Sequence, residues 1–461
     1  MNTETHVSNR WSNKYAYILA ATGAAVGLGN LWKFPYIMGE NGGGAFVLVY
    51  LLCILFIGIP VMMAEVAIGK RGRSTPANAA SMVATESGSS AHWSIIGSMG
   101  VLAGYLILSF YVVIAGWAVA YMFYGATGEF SAAAVDATTH ADTIGALFGN
   151  LVSSVPKLFI YTTLIVVAVI YVLSKGVKDG LEVAVTYLMP AMFVLLVGIM
   201  IYSAIVGDFE AAFTFMFHVD FSQLTIEGVL VALGHAFFTL SLASGIMMVY
   251  GAYLPEGVSI AKTSILIAIA DTVVALIAGL AIYPIVFAHG LAPSAGPGLL
   301  FQALPIAFGS MPMGDLVGTL FFVMVVFAAF TSAIALLESA AAYLVERQNF
   351  SRAKAALVAG LGIWLLSLLT IFSLSGESWT LLAFMGEGKT IFDGLDYVTA
   401  NILLPLGGLL TSVFVGWFMK DEIVKKEFNL SDNQFSLIMV LLRYVAPVAI
   451  IFVFINAIGL F

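Results

Sequence analysis

Apolar runs of roughly twenty residues or more follow one another along the chain, parted by short polar stretches, and about 20 such residues let a helix cross the hydrocarbon of a bilayer. The pattern predicts eleven membrane helices, at about 15–38, 43–69, 95–125, 157–174, 181–206, 228–254, 261–288, 314–345, 355–374, 391–419 and 435–460. Because these runs fill nearly the whole length, the chain is expected to be a single all-α polytopic domain, 1–461, with no separate soluble unit.

Two runs have unusual interiors. The first reads Ala21-Thr22-Gly23-Ala24-Ala25-Val26-Gly27-Leu28-Gly29-Asn30, and the sixth reads Phe237-Phe238-Thr239-Leu240-Ser241-Leu242-Ala243-Ser244-Gly245. Glycine weakens a helix interior, and backbone freed at membrane depth must find partners or line a cavity. An isolated Gly27 is better explained by close helix packing. Matching breaks in spans one and six point instead to an inverted repeat with a binding site between them. The repeats are expected at about 15–206 and 228–419, leaving an extra helix at about 435–460.

Composition agrees with lipid as the solvent. The chain is 61% hydrophobic and 10% charged, where soluble domains carry about 25% charged residues. The net charge of −8 says less than its placement. Arg10, Lys14, Lys70, Arg71, Arg73, Lys175, Lys178, Lys262, Arg347, Arg352, Lys354, Lys420, Lys425 and Lys426 fall on alternate loops and ends, and the opposite loops hold only Lys157 and Lys389. The positive-inside rule then puts the N-terminus in the cytoplasm and the C-terminus outside. The outer segments 126–156 and 207–227 are acidic, including Asp136. Segment 290–312, rich in Pro and Gly, reads as a structured outer loop, a short re-entrant hairpin capping a vestibule. The single cysteine, Cys53, excludes an internal disulfide, and no cleavable signal pattern precedes the first run.

A charge at the bilayer centre costs roughly 2.5–3.5 kcal/mol on the mildest scale, so each needs a reason. Lys33 follows the first break; Glu65, Asp271 and Glu338 lie within spans, with Asp393 and Asp396 at an outer end. Sodium asks for oxygen ligands. The carbonyls of the first break with the Thr331 and Ser332 hydroxyls would serve one ion, and Thr239 with Asp271 a second. The amides opening a half-helix suit a substrate carboxylate, and glycine at 27 and 29 lets an anion approach the backbone. Plainer readings stand beside these: Thr331 bonding its own helix, Glu338 paired to another helix, His235 filling a polar contact. The sequence has no HExxH pair, Gly-x-Ser-x-Gly elbow or Ser–His pair, which argues against an enzyme. It also lacks the repeated pore-lining rings of a channel, and nothing in it suggests nucleic-acid binding.

The stretch Ala25-Val26-Gly27-Leu28-Gly29-Asn30-Leu31-Trp32-Lys33-Phe34-Pro35-Tyr36, followed by Glu40-Asn41-Gly42-Gly43-Gly44-Ala45-Phe46, resembles the signature of the neurotransmitter:sodium symporters. Gly58-Ile59-Pro60 with Glu65 and Gly69, Phe237-Phe238-Thr239-Leu240-Ser241 and Thr331-Ser332-Ala333-Ile334 resemble that family's other motifs, in the same order. The resemblance, to bacterial sodium-dependent amino acid transporters, implies a LeuT-type fold in the inner (plasma) membrane. It also implies alternating access driven by sodium, with a small amino acid or amino-acid-like solute as cargo.

Matching position by position, the resemblance implies a first sodium held by Ala25, Asn30, Thr239 and Asp271, and a second by Gly23, Val26, Ala328, Thr331 and Ser332. It implies a substrate site of Ala25, Gly27, Gly29, Ile107, Tyr111, Phe238, Ser241, Ser244, Ser332 and Leu336, with Tyr111 donating to a carboxylate and Phe238 closing the outside. Lys33 and Asp396 resemble the outer ionic gate, although lysine lacks the bidentate geometry of the usual arginine. Glu346 matches the inner gate's aspartate, with Arg10 and Tyr253 as candidate partners. Asp271 stands where the family has asparagine. Tyr50 keeps one chloride ligand, whereas His235 and Ala275 replace two others, so no chloride requirement is expected. A same-fold carrier driven by protons, or moving another organic amine, is the alternative; the intact hydroxyl pair at the second sodium site argues against it. The oligomeric state is not legible in the sequence.

Overall fold

Among the residues described by the computed structural model, 10–134, 140–291 and 298–457, regular structure is helical, and the only β feature is an isolated bridge between Leu381 and Thr390. Asp136, the Pro/Gly-rich stretch 292–297 and the last residues of the eleventh expected span lie outside the described residues. In chain order the principal helices are α1 (Lys14–Ala25), α2 (Gly29–Lys33 continuing through Phe34–Glu40), α3 (Gly44–Gly72), α4 (Pro76–Glu86), α5 (Ala91–Ala126), α6 (Val155–Ser174), α7 (Val177–Val206), α8 (Ile226–Thr239), α9 (Ile246–Ala252), α10 (Ile260–Ala288), α11 (Gly314–Gln348), α12 (Arg352–Leu374), α13 (Ile391–Phe418) and α14 (Asp432–Asn456). Nine of the described helices, α3, α5 to α7 and α10 to α14, are long and apolar enough to cross a membrane. The expected spans one and six are each a pair of half-helices, α1 with α2 and α8 with α9.

Proline shapes several of these rods. Pro35, Pro60, Pro305, Pro405 and Pro447 each follow a wide π turn, at Gly29–Lys33, Ile54–Gly58, Leu299–Ala303, Val398–Leu403 and Leu441–Val445. Proline has no N–H to donate, and its ring collides with the carbonyl four residues back. Widening the preceding turn removes that collision without ending the helix.

Of the segment expected as a structured outer loop, the described residues form a short helix over Leu299–Ser310, with Leu299, Leu300, Phe301 and Leu304 buried. Phe301 meets Trp32 edge-on at 6.3 Å and Trp117 at 5.5 Å, which seats the segment on α2 and α5. In the middle of the molecule α5 packs along α11, α1 lies against α7, α10 and α11, and α3 flanks both α8 and α9. The two broken helices are therefore enclosed by intact ones. At the other end, Asn13 caps α1 by accepting from the Tyr15 and Ala16 amides. Trp11 just before it donates its indole N–H to the Tyr250 carbonyl at 3.3 Å. Arg71 at the end of α3 pairs with Glu86 of α4 and holds that carboxyl below its usual range.

Candidate functional site: a cavity between two broken helices

α1 stops at Ala25 because Val26 turns extended (φ −69°, ψ 109°). The loose amides are capped from nearby: Gly27 N–H donates to Asn30 Oδ1 at 3.0 Å, and Leu28 N–H to the Tyr111 hydroxyl at 3.2 Å. Glycine is required at 27 by space, since a Cβ there would lie 2.6 Å from Ser332 Oγ and 2.7 Å from the Tyr111 hydroxyl. The second break is sharper. Ser241, Ala243 and Gly245 have φ of 53°, 58° and 77°, a region costing non-glycine residues on the order of 1–3 kcal/mol. Hydrogen bonds hold the segment there: Ser241 Oγ to the Ala24 carbonyl (2.9 Å), Ser244 Oγ to the Ser241 carbonyl (2.6 Å), and Ala243 N–H to Glu65 Oε1 (2.6 Å).

Between the breaks lies a narrow cavity, with about 430 Å3 of empty space when the solvent-connected volume is included. Ala25, Gly27 and Gly29 line it from the first break, Ile107 and Tyr111 from α5, Phe238, Ser241 and Ser244 from the second break, and Ser332 and Leu336 from α11. All ten positions expected from the sequence are thus brought together. Ala24, Leu242 and Leu404 complete the wall. They were not foreseen, because in a chain this apolar nothing in the sequence separates a cavity-facing leucine or alanine from a packed one.

Beside the cavity Asn30, Thr239 and Asp271 form one polar knot. Asn30 Nδ2 donates to Asp271 Oδ1 (2.8 Å), the Asp271 carbonyl (3.1 Å) and Thr239 Oγ1 (3.0 Å), and Thr239 Oγ1 donates to Asp271 Oδ2 (2.9 Å). All three residues are buried. A second oxygen cluster joins α1 to α11. Ser332 Oγ lies 3.2 Å from both the Gly23 and Val26 carbonyls, and Thr331 Oγ1 lies 3.0 Å from the Ala328 carbonyl. Both clusters offer hard oxygen donors suited to an alkali cation rather than a soft transition metal. Among the described residues no three His, Cys, Asp or Glu side chains converge to hold a metal ion.

The expected gate residues pair differently from expectation. Lys33 does not bridge to Asp396; its ammonium sits 4.7 Å from the centroid of the Phe238 ring. Arg10, Tyr253 and Glu346 share a wide cavity of about 1210 Å3 with Arg73, yet they do not pair with each other. Arg10 reaches Glu256 at 3.4 Å. Glu346 accepts from Ser74 Oγ (2.5 Å), Thr75 N–H (2.8 Å) and Asn78. Tyr253 donates to Glu338 Oε1 at 2.8 Å, and Arg352 clasps that carboxylate at 3.0 and 2.5 Å. The Glu338–Arg352 pair meets the plainer expectation of a carboxylate paired to another helix. His235 departs from its expectation. Neither ring nitrogen has a hydrogen-bond partner, and the ring lies against Phe34 and Tyr50 with centroids 5.8 and 5.5 Å apart.

Comparison with known proteins bears on this arrangement. The family model described as "Sodium:neurotransmitter symporter family" matches residues 8–143 and 140–461. An uncharacterized sodium-dependent transporter of Haemophilus influenzae is 34% identical over 464 residues, spanning 99% of each chain. The uncharacterized sodium-dependent transporter YhdH of Bacillus subtilis is 35% identical over 455 residues, spanning 98% of each. The crystal structure of MhsT in complex with L-phenylalanine matches with a TM-score of 0.88 at 39% identity, covering 97% of this chain and 99% of that one. The chain therefore belongs to the sodium:neurotransmitter symporter family: it is a multi-pass membrane transporter with a LeuT-type fold, dependent on sodium, and not an enzyme.

Proposed function

We propose that the protein carries a small amino acid, or a solute like one, together with two sodium ions by alternating access and without chloride. The observation that carries this reading is the cavity onto which the opening of α2 and the Tyr111 hydroxyl face, with the Asn30–Thr239–Asp271 knot buried beside it. The partial positive charge at the start of α2 attracts a carboxylate, glycine at 27 and 29 gives it room, and Tyr111 donates to it. Ser241, Ser244 and the carbonyls of the second break can accept from an ammonium, leaving Ile107, Leu336 and Leu404 as an apolar wall for the side chain. Phe238, with Lys33 above it, closes the outer side. MhsT, a structural relative, was crystallised with L-phenylalanine, which supports an amino acid as the cargo class.

Ala25, Asn30, Thr239 and Asp271 would hold one sodium beside the substrate carboxylate. Gly23, Val26, Ala328, Thr331 and Ser332 would hold the other. Asp271 supplies a fixed negative charge where chloride-dependent relatives need an anion. On this reading the repeats run over about 15–206 and 228–419, relating α1/α2 to α8/α9; the basic loops favour a cytoplasmic N-terminus and an outer C-terminus, and the chain would lie in the inner (plasma) membrane. Arg10, Tyr253 and Glu346 line the inner vestibule and act as gate residues through their present partners. A proton-driven carrier is disfavoured by the hydroxyl-and-carbonyl cluster around Ser332, which has no proton-accepting side chain.

The test is uptake by proteoliposomes, screening amino acids and their sulfonate and ω-amino relatives with sodium against potassium and chloride against gluconate. Accumulation of one compound that needs sodium and ignores chloride is expected. Uptake indifferent to sodium would undo the two-ion assignment, and a chloride requirement would remove the role given to Asp271.

A further inference from the structure

A groove of about 890 Å3, separate from the transport cavity, opens where α4, α5, α11 and α12 meet. Its wall is formed by Leu102 and Tyr105 of α5, Tyr343 and Leu344 of α11, and Val358 and Ala359 of α12. Leu102, Tyr343 and Val358 are 51%, 39% and 41% exposed. They stand on helices long and apolar enough to cross a membrane. The Tyr105 hydroxyl is spent on the Ala359 carbonyl at 2.8 Å, which makes the floor of the groove effectively apolar. From Ser98 to Tyr105 the groove follows α5 for roughly 10 Å, at 1.5 Å per residue.

Two cations stand one helical turn from residues of the groove wall. Arg347, a turn beyond Leu344 on α11, reaches Asn78 Oδ1 at 2.8 Å, and Asn78 adjoins Ala77 of the groove wall. Lys354, a turn before Val358 on α12, holds its ammonium 4.1 Å from the centroid of the Phe350 ring. Both residues are exposed, and among the described residues neither forms an ion pair. The carboxylates nearby are engaged elsewhere: Glu346 by Ser74, Thr75 and Asn78, and Glu338 by Arg352.

We propose that the groove is a binding site for an anionic phospholipid of the bilayer. One acyl chain lies along Leu102, Tyr105 and Leu344, and the phosphate sits between Arg347 and Lys354. An apolar slot flanked at a helix boundary by two cations that form no ion pair favours anionic head groups, and a guanidinium with an ammonium matches phosphate oxygens by fork and by point charge. The bound lipid would clamp α4 and α5 against α11, the helix that carries Thr331 and Ser332.

The full chain would be purified in detergent and its melting temperature titrated with dioleoyl phosphatidylglycerol, dioleoyl phosphatidylcholine and inorganic phosphate, with native mass spectrometry to count retained lipid. Stabilisation by phosphatidylglycerol at about tenfold lower concentration than by phosphatidylcholine is expected, with no effect of phosphate alone. The R347Q/K354Q double variant should lose that preference and still be stabilised by both lipids. L102W, which fills the slot, should weaken the response to both lipids, and melting of each variant without lipid reports whether it has folded. Equal response to the two lipids, a preference that survives in the double variant, a shift with phosphate alone, or a dimer that forms without lipid and buries this groove would each overturn the proposal.

Discussion

The carboxylate of Glu65, wholly buried on α3, accepts the backbone N–H of Ala243 at 2.6 Å and so grips the unwound segment between α8 and α9 by its own peptide group. Ala243 has a positive φ and no helical partner for that N–H, so Glu65 both satisfies the donor and keeps the strained turn in place. An orphaned buried donor costs about 1–3 kcal/mol. Glu65→Ala should therefore lower stability by roughly 2 kcal/mol and weaken solute binding through loss of the turn. Glu65→Gln, whose amide oxygen still accepts, should retain most of both. Melting curves and equilibrium binding of the two variants separate these outcomes, and equal behaviour would show that the contact does not hold the turn.

Gly27 leaves no room for a methyl group, with Ser332 Oγ and the Tyr111 hydroxyl at 2.6 and 2.7 Å from the Cβ position. Gly27→Ala should displace one of the two hydroxyls and reduce solute affinity by at least about tenfold, or ~1.4 kcal/mol. Overpacking should cost about 1–3 kcal/mol of stability. Unaltered affinity would mean that the solute does not rest on this face.

Asp271 shares its two carboxylate oxygens between Asn30 and Thr239. Replacing it by Asn keeps the shape and removes the charge. Uptake by Asp271→Asn should fall, or become dependent on added chloride as the missing anion. Full uptake in gluconate would sink the assignment of Asp271 as the internal anion.

Ser332 is the link between the Gly23 and Val26 carbonyls and α11. In Ser332→Ala the sodium concentration for half-maximal solute binding should rise about tenfold, a loss near 1.4 kcal/mol. A sodium titration overlying that of the unaltered protein would place the second ion elsewhere.

Glu338 is fully buried and clasped by Arg352 and Tyr253. Arg352→Gln leaves a buried carboxylate without its counter-charge, which costs about 3–5 kcal/mol, whereas removing both members of a pair costs less. Melting of R352Q against the E338L/R352L double variant should rank the single change as the more damaging. The reverse order would show that the pair contributes little beyond packing volume.

Several site residues were readable from the chain because they break a rule. Gly27, Gly29, Asn30, Ser241 and Ser244 interrupt apolar runs, and Asp271 and Glu65 place charge in lipid, so their types and depths marked them before any fold was known. The prolines at 35, 60 and 405 were equally visible, yet the wide turns before them were not anticipated, since that adjustment depends on a helix being held together by its neighbours. Leu404 and Leu242 broke no rule and stayed hidden.

The eleven apolar runs, their two breaks and the oxygen-rich positions beside them follow from chemistry local to the chain. Lipid demands satisfied backbone, and glycine and buried polar groups announce where that demand is met by other means. The partners of the long charged side chains follow from elsewhere. Lys33 lies over Phe238 instead of reaching Asp396, Arg10 turns to Glu256, and Tyr253 turns to Glu338. Such groups are flexible, have several candidate partners within reach, and settle according to how helices distant in sequence are packed. That packing is a property of the assembled bundle, which no local pattern carries.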